Sequence, residues 1–530
     1  MMQKYGTEEN KRPEKLDVDN ITNKLIGDFG RWQLRISILM SLLKLSLAWY
    51  QLNIIFMAPP QEFWCAKPES FAKYTDEMWR KICVPHVVEY PCLIFDPDIL
   101  ALAPKMDRTL IPLVLCRKFV YDESLFTRTI TSDWNLVCER RWYIYLTQCV
   151  MNFGIVAGGI IFGVAADKYG RKKPLMITIL IQTSASYFAC VVPWFWLFLV
   201  NWFILALGCG GISIISFVLC IEIVGGKWRT IIPVLYQLPF GLGNAVLAFL
   251  AYWLRDWRQL EFALATISSV YLMYWFWIPE SPRWLLVTGK IEKAKEILEE
   301  AAKENNMNVD VHGALSLLIR KEESKKSLGF MSLLRSRSMR RKTLLLSVDW
   351  FLTGLSFFTF SQYLGFISGN IFLTVAMSGI ISIPGGVICL FIISKAGRKR
   401  TLGVFQLITT SCFIAIFLIP KDGRINEWSR LIFAGTGFAA MAGSVSALYL
   451  FSGELFPTVG RNVGISGVTM FARVASMVAP AVVSMDYKMP GLTILLLIVT
   501  SFIQVLILLP LPETKGHPLP DTLEEAEIFT

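Results

Sequence analysis

The chain has 530 residues, of which 54% are hydrophobic, 13% aromatic and 18% charged, with a formal net charge of +11. A soluble fold of that balance would leave large apolar patches in water, so the composition excludes an ordinary soluble domain and points to an integral membrane protein. With three histidines, no HExxH and no Walker-type phosphate loop, zinc hydrolysis and ATP-driven pumping have no support, and no catalytic residue, metal or cofactor is expected.

Residues 1–34 are polar and carry no short apolar segment before a small-residue cleavage site, so they are expected to be a cytoplasmic N-terminus rather than a signal peptide. Twelve apolar runs then approach the ~20 residues a membrane-spanning helix needs. They are 35–57, 142–165, 174–192, 196–222, 230–253, 259–279, 343–365, 367–393, 401–420, 431–452, 462–485 and 490–510, numbered here as spans 1 to 12. The short links 166–173 and 394–400 each carry four Lys or Arg, whereas 193–195 and 366 carry none. Retention of basic loops on the inner side therefore places both termini in the cytoplasm.

In span 1, Lys44 lies too deep in the apolar run to reach the interface easily, though snorkelling is one reading. Between spans 1 and 2 the outer segment 58–141 carries Cys65, Cys83, Cys92, Cys116 and Cys138. Outside the cell such residues form disulfides, and five allow two bonds and one leftover thiol, with the connectivity open. No Asn-X-Ser/Thr acceptor occurs there, so no N-glycan is expected; Asn20 begins the chain's one sequon, on the inner side. "GLGNAV" at 241–246 places a glycine pair inside span 5 and reads as close helix packing.

Segment 280–342 opens with "PESPRWLL", where Ser281 can cap a helix and Pro282 suits its first turn. Ile291, Ala294, Leu298 and Ala301 follow at helical spacing, predicting an amphipathic cytoplasmic helix that straps two halves together. Arg320 to Lys342 holds nine Lys or Arg. Lying between spans, it reads as a surface for the inner leaflet of the bilayer and not for nucleic acid. Ser336 and Ser338 sit within it as candidate phosphate acceptors.

The two halves repeat. "DKYGRKK" at 167–173 recurs as "SKAGRKR" at 394–400, Glu222 and Arg229 recur as Glu454 and Arg461, and Pro279-Glu280 recurs as Pro512-Glu513. Six spans plus six in parallel repeat is an architecture in which a central cavity forms between halves that rock about it. The expected domains are 1–34, the first bundle 35–279, the linker 280–342, the second bundle 343–510 and a cytoplasmic tail 511–530.

"GVAADKYGRKK", "EIVGGKWR", "PESPRWLL", "ELFPTVGR" and "PETKG" resemble the signature motifs of the major facilitator superfamily. The cysteine-bearing first outer loop ending in "TSDWNLVC", with "WQLRISILMSLLKL" and "GELFPTVGRN", is similar to its organic cation, anion and zwitterion transporter family, and "FVLCIEIVGGKWRT" and "AWYQLNIIFMAPP" resemble invertebrate members. Sugar porters share two of these motifs, but their Gln-Gln-x-Ser-Gly is absent from span 7. The resemblance implies an all-α major facilitator fold of twelve helices in the plasma membrane. It implies secondary-active or facilitative alternating-access transport of a small organic ion.

Charges at the cytoplasmic helix ends, Asp167, Arg171, Glu222, Arg229, Glu280 and Arg283, with Arg398, Glu454, Arg461 and Glu513, are gating candidates, or else fix topology and cap helices. Ser394 stands where the first half has Asp167, which predicts a weaker second cluster. By resemblance, Trp350, Phe357 and Phe358 in span 7, Phe240 in span 5 and Tyr449 in span 10 line an aromatic cavity, with Asn244 one turn from Phe240. Lys44 and Asp349 fall at similar depth by pseudo-symmetry and are expected to form a buried pair that opens during transport.

Arg473, alone in the apolar "TMFARVASMVAP" of span 11, lies near mid-membrane. By resemblance the anion and zwitterion branches carry arginine here and the cation branch an aspartate. A guanidinium facing the cavity would bind a carboxylate through two parallel hydrogen bonds; the alternative is a permanent partner, Asp349 or Glu454. The expected substrate is an organic anion or zwitterion, with an organic cation as the alternative and a non-transporting receptor or scaffold as a further one.

Overall fold

The computed structural model describes residues 25–83, 92–102, 111–226, 228–307, 334–364, 370–420, 424–457, 461–486, 489 and 491–515. Asn20, most of the basic stretch and the end of the tail lie outside them, as do the side chains of Cys83 and Arg461.

All twelve predicted spans are helical. Span 1 is Arg31–Leu52 continued by Ile54–Met57, and spans 2 to 4 are Trp142–Tyr169, Lys172–Val191 and Phe195–Glu222. Span 5 runs Trp228–Leu235 and Leu238–Leu254, and span 6 passes from Trp257–Ser269 through a 3₁₀ turn, Val270–Met273, into Tyr274–Trp277. Spans 7 to 12 are Arg337–Tyr363, Ile371–Ala396, Arg398–Leu418, Arg424–Leu455, Arg461–Met485 and Leu492–Leu508. Ten of these helical segments, among the described residues, are long and apolar enough to cross a membrane. Span 12 is a shorter apolar helix, and the 3₁₀ turn interrupts span 6. In span 5 the break follows Pro233, which lacks the N–H that would bond the preceding turn. Span 7 begins six residues before its predicted start, so the arginines around Ser338 are already helical and Ser336 stands at its N-cap.

Close backbone approach explains several intramembrane glycines. A Cβ on Gly158 or Gly210 would strike the carbonyl of Leu207 or Ile155, which lets spans 2 and 4 touch along their length. Of the "GLGNAV" glycines, Gly241 faces Gly379 and Ser382 of span 8 in the other half, and Gly243 faces Leu45 and Ala48 of span 1 in its own half. Gly170 and Gly397, at φ of +102° and +96°, end spans 2 and 8 in equivalent turns. A Cβ on either would meet the carboxylate of Glu280 or Glu513.

The predicted amphipathic helix is two helices, Pro282–Val287 and Ile291–Glu304, separated at Gly289, whose φ is +72°. Ser281 Oγ accepts from the Trp284 N–H at 3.2 Å, as its capping position predicts. The second helix buries Ala294, Leu298, Ala301 and Ala302 and docks on span 1. There Arg35 pairs with Glu304 at 3.0 Å and Asn305 Oδ1 accepts the Trp32 N–H at 3.0 Å.

Among the described residues, strands occur between spans 1 and 2 alone. The outer segment is a small mixed domain in which Phe63–Cys65 pairs antiparallel with Phe119–Tyr121, and Leu93–Phe95 with Leu113–Leu115. Disulfides join Cys65 to Cys116 and Cys92 to Cys138. Trp79, Phe71, Ile94 and Phe95 fill a core too small to hold such a domain without cross-links. Asp133 of "TSDW" ties the domain to span 6 by accepting from Arg258 Nε and Trp257 Nε1, each at 3.1 Å. The six cysteines in the spans are free.

Candidate functional site

A cavity with about 1050 Å³ of space between atoms, part of it open, lies between the halves. Eight of the nine residues predicted from the sequence line it: Lys44, Phe240, Asn244, Trp350, Phe357, Phe358, Tyr449 and Arg473. They come from the cavity-facing sides of spans 1, 5, 7, 10 and 11, and the aromatics form two groups. Trp350 and Tyr449 meet edge to face at 4.5 Å between ring centroids, and Phe357 lies 5.3 Å from Phe438 and 6.3 Å from Phe240. The last contact joins the two halves. Asn244 also joins them, its amide donating to Val375 O and Ser378 Oγ of span 8, both at 3.3 Å.

Arg473 projects into this cavity. Its Nη1 donates to Gln51 Oε1 at 2.7 Å, and its guanidinium carbon lies 5.9 Å from the Phe358 ring centroid. Neither Asp349 nor Glu454 is its partner: Glu454 is taken by Arg398, and the Asp349 carboxylate accepts only from Gln406 among the described residues. Lys44 is 6% exposed, with Nζ 4.7 Å from the Tyr236 ring centroid. The expected Lys44–Asp349 pair is therefore absent from this conformation. Asp349 is 0% exposed and does not line the cavity. Successive residues of a helix point about 100° apart, so when Trp350 faces the cavity Asp349 is turned toward span 9.

Gln51, Gln237, Thr353, Phe438 and Thr469 also line the cavity and were not anticipated. Gln51 was within reach of the sequence, since it stands seven residues, two turns, after Lys44 on one helical face. A second polar cluster was also missed. Glu261 of span 6, 1% exposed, accepts from Ser186 Oγ at 2.7 Å and Asn53 Nδ2 at 3.1 Å, and Tyr50 donates to Ser186 at 2.9 Å. It knits spans 1, 3 and 6 within the first half.

Toward the cysteine-bearing domain the two halves meet at Phe372 of span 8. Its ring contacts Phe126 at 5.1 Å, Tyr252 at 5.5 Å and Phe56 at 5.6 Å, all from the first half or its outer domain. Gln362 adds a bond from span 7 to Gln148 of span 2 at 3.0 Å.

The charges at the helix ends form two similar clusters. Arg171 reaches Glu222 through Nη2 at 2.9 Å and Nε at 3.3 Å and also pairs with Asp167; Glu280 caps span 3 by accepting the Arg171 and Lys172 N–H groups. Burial alone would lower the Arg171 guanidinium pKa, but the hydrogen bonds and charges of Glu222 and Asp167 leave it above its ordinary value. In the second half Arg398 holds Glu454 at 2.8 Å, and Glu513 accepts the Arg398 N–H at 2.8 Å. Among the described residues Ser394 bonds its own helix alone, at Phe391 O, and Thr514 takes up the free side of Glu454 at 2.6 Å. Each of these pairs joins helices of one half. Arg229 donates to Val224 O at 2.9 Å, and Arg283 sits partly buried in the first turn of Pro282–Val287.

A family profile described as "Sugar (and other) transporter" matches residues 115–525. The "Organic cation transporter protein" of Drosophila melanogaster is 30% identical over 95% of this chain and 93% of its own. "Solute carrier family 22 member 3" of Rattus norvegicus is 30% identical over 94% of each chain, and "Solute carrier family 22 member 13" of Homo sapiens is 30% identical over 95% and 92%. The xylose transporter XylE from E. coli, partially occluded and inward open, superposes with a TM-score of 0.62 at 17% identity, over 92% of this chain and 100% of that one. In its inward-open conformation the TM-score is 0.63 at 16% identity, over 94% and 99%. At such identity the likeness is one of fold.

Proposed function

Because the chain belongs to the sugar (and other) transporter family, and within it to the solute carrier family 22 transporters of organic ions, we propose that this membrane transporter carries a small organic anion or zwitterion. One observation carries the reading. Two cationic side chains, Lys44 and Arg473, line the cavity, and no carboxylate does so among the described residues. Charge buried in a membrane protein without a counter-ion is costly, so a negative group on the substrate supplies what the wall lacks. The guanidinium fork offers that group two parallel hydrogen bonds, and the aromatic wall covers its apolar part.

Alternating access of this one cavity moves the substrate, and the Phe372 contacts on the outer side support an inward-facing state as the one described. The helix-end clusters act as staples that keep each bundle rigid while the halves rock. The plasma membrane, with both termini in the cytoplasm, is the location that the basic inner links support.

A second reading has its own observation. Six aromatic residues line the cavity, a surface suited to an organic cation, and two Drosophila melanogaster relatives are named for organic cations. A competition panel separates the two, with an aromatic sulfonate as anion, tetraethylammonium as cation and glycine betaine as zwitterion. We expect saturable sulfonate uptake, inhibited by betaine and indifferent to tetraethylammonium. Saturable tetraethylammonium uptake that ignores the sulfonate would overturn the anion reading.

A further inference from the structure

Asp349 is an acid that the cavity does not use. It is 0% exposed in the middle of span 7, and among the described residues its one hydrogen bond is from Gln406 Nε2 to Oδ1 at 3.3 Å. Its other oxygen, Oδ2, has no partner, and neither has Gln406 Oε1, although both are buried. Two orphan acceptors on two side chains already bonded to each other have one economical explanation. A single proton on Oδ2, donated to Oε1, satisfies both and closes an acid–amide ring. An ionised carboxylate would instead stand in the low-dielectric interior with one long neutral hydrogen bond and no cation.

Among the described residues no neighbouring charge offers another solution. Arg473 of span 11, Tyr449 of span 10 and Lys44 of span 1 face the cavity. Span 8 brings the buried thiol of Cys389 and span 9 that of Cys412; span 12 brings no ionisable residue. On span 7 itself the nearest charge, Lys342, is two turns away toward the cytoplasm.

We propose that Asp349 is a proton-carrying site, holding a proton shared with Gln406 in this conformation and taking up and releasing one proton per transport cycle, so that substrate movement is coupled to proton movement. One O–H bond forms on Oδ2 with a proton from water on one side and later breaks to water on the other, without redox change. The route to the cavity is short. Trp350, the next residue, and Thr353, one turn on, both line it, so substrate pressing on span 7 moves Asp349 relative to Gln406 on span 9. The coupling holds whichever organic ion the cavity takes.

The test uses the full chain in liposomes. Asp349→Asn puts an amide where the acid sits, keeps a donor for Gln406 Oε1 and leaves nothing to titrate. Infrared spectra near neutral pH are expected to show the carbonyl band of a protonated carboxyl in the wild type that is lost in Asp349→Asn. Under an inward proton gradient the wild type is expected to accumulate an aromatic sulfonate, whose charge does not titrate, severalfold while moving protons. Asp349→Asn should equilibrate the sulfonate without accumulating it or moving protons. Identical carbonyl bands in the two proteins, or substrate flux in the wild type with no proton movement, would overturn the proposal. Should Asp349→Asn not fold, Gln406→Leu removes the acceptor and is expected to shift the wild-type carbonyl band to higher frequency; an unmoved band counts against the proposal.

Discussion

Replacing Arg473 by lysine keeps the sign of the charge and discards the planar fork. In the structure Nη1 is engaged by Gln51 at 2.7 Å, which holds the guanidinium against Phe358 and leaves its remaining N–H groups for a ligand. An ammonium keeps most of the long-range attraction but can make only one well-directed bond where the fork makes two. One charge-assisted hydrogen bond contributes about 1.5–3 kcal/mol, part of which a water can recover, so carboxylate or sulfonate binding should weaken by roughly 1–3 kcal/mol. That is roughly a 5- to 150-fold rise in KM. Arg473→Asp goes further, leaving Lys44 as the lone cation in the cavity and adding a carboxylate beside the aromatic wall. Uptake of the anion should fall to background and uptake of tetraethylammonium should appear. The assay is initial-rate uptake of both probes, normalised to surface-biotinylated protein. If Arg473→Asp left anion KM and rate intact at normal surface expression, the arginine would be a packing residue and the anion reading would fall.

Phe372→Ala removes three ring contacts on the outer side, each contributing about 0.5–1.5 kcal/mol beyond the area buried. It should shift the population outward, read as faster labelling of a Phe357→Cys reporter by an impermeant thiol reagent; unchanged labelling would remove Phe372 from the gate. At the inner end, burial alone would raise the Glu513 pKa, but backbone N–H groups of Arg398, Lys515, Lys399 and Arg400 hold it below its ordinary value. A depressed carboxyl stabilises the fold above its unfolded pKa, near 4.3 for glutamate, and that contribution is lost as pH falls through the lower folded value. The wild-type Tm should therefore drop more steeply on acidification than that of Glu513→Gln, and parallel curves would rule the contribution out. Peptide mapping without reduction should recover Cys65–Cys116 and Cys92–Cys138 links and leave Cys83 for alkylation, whereas a bond involving Cys83 would contradict this pairing.

Twelve helices, the helical strap after span 6 and the repeated charge clusters were legible in the sequence because each is written in a local run of residues. Hydropathy over about 20 residues, basic links and a recurring "GRK" need no knowledge of neighbours. The pairing of Arg171 with Glu222 and of Arg398 with Glu454 could be suspected from the repeat, although that each pair stays within its own half could not. The outer segment was opaque for a different reason: four strands of three residues each carry too little periodicity to read, and their pairing depends on contacts dozens of residues apart.

Which charged residues a membrane span contains is a property of the sequence, but what each one meets depends on how the helix is rotated in its bundle. Lys44 and Gln51, seven apart, fall on one face and reach the cavity together, a relation the sequence contains. Asp349 and Trp350, adjacent in the chain, part by about 100°, and only the packing of span 7 against spans 11 and 12 sends the tryptophan to the cavity and the aspartate to Gln406. Pseudo-symmetry put Lys44 and Asp349 at similar depth and so suggested a pair, because depth is argued from position along the chain. Rotation follows from the shapes of neighbouring side chains, and it left the lysine against Tyr236 and the aspartate with an amide.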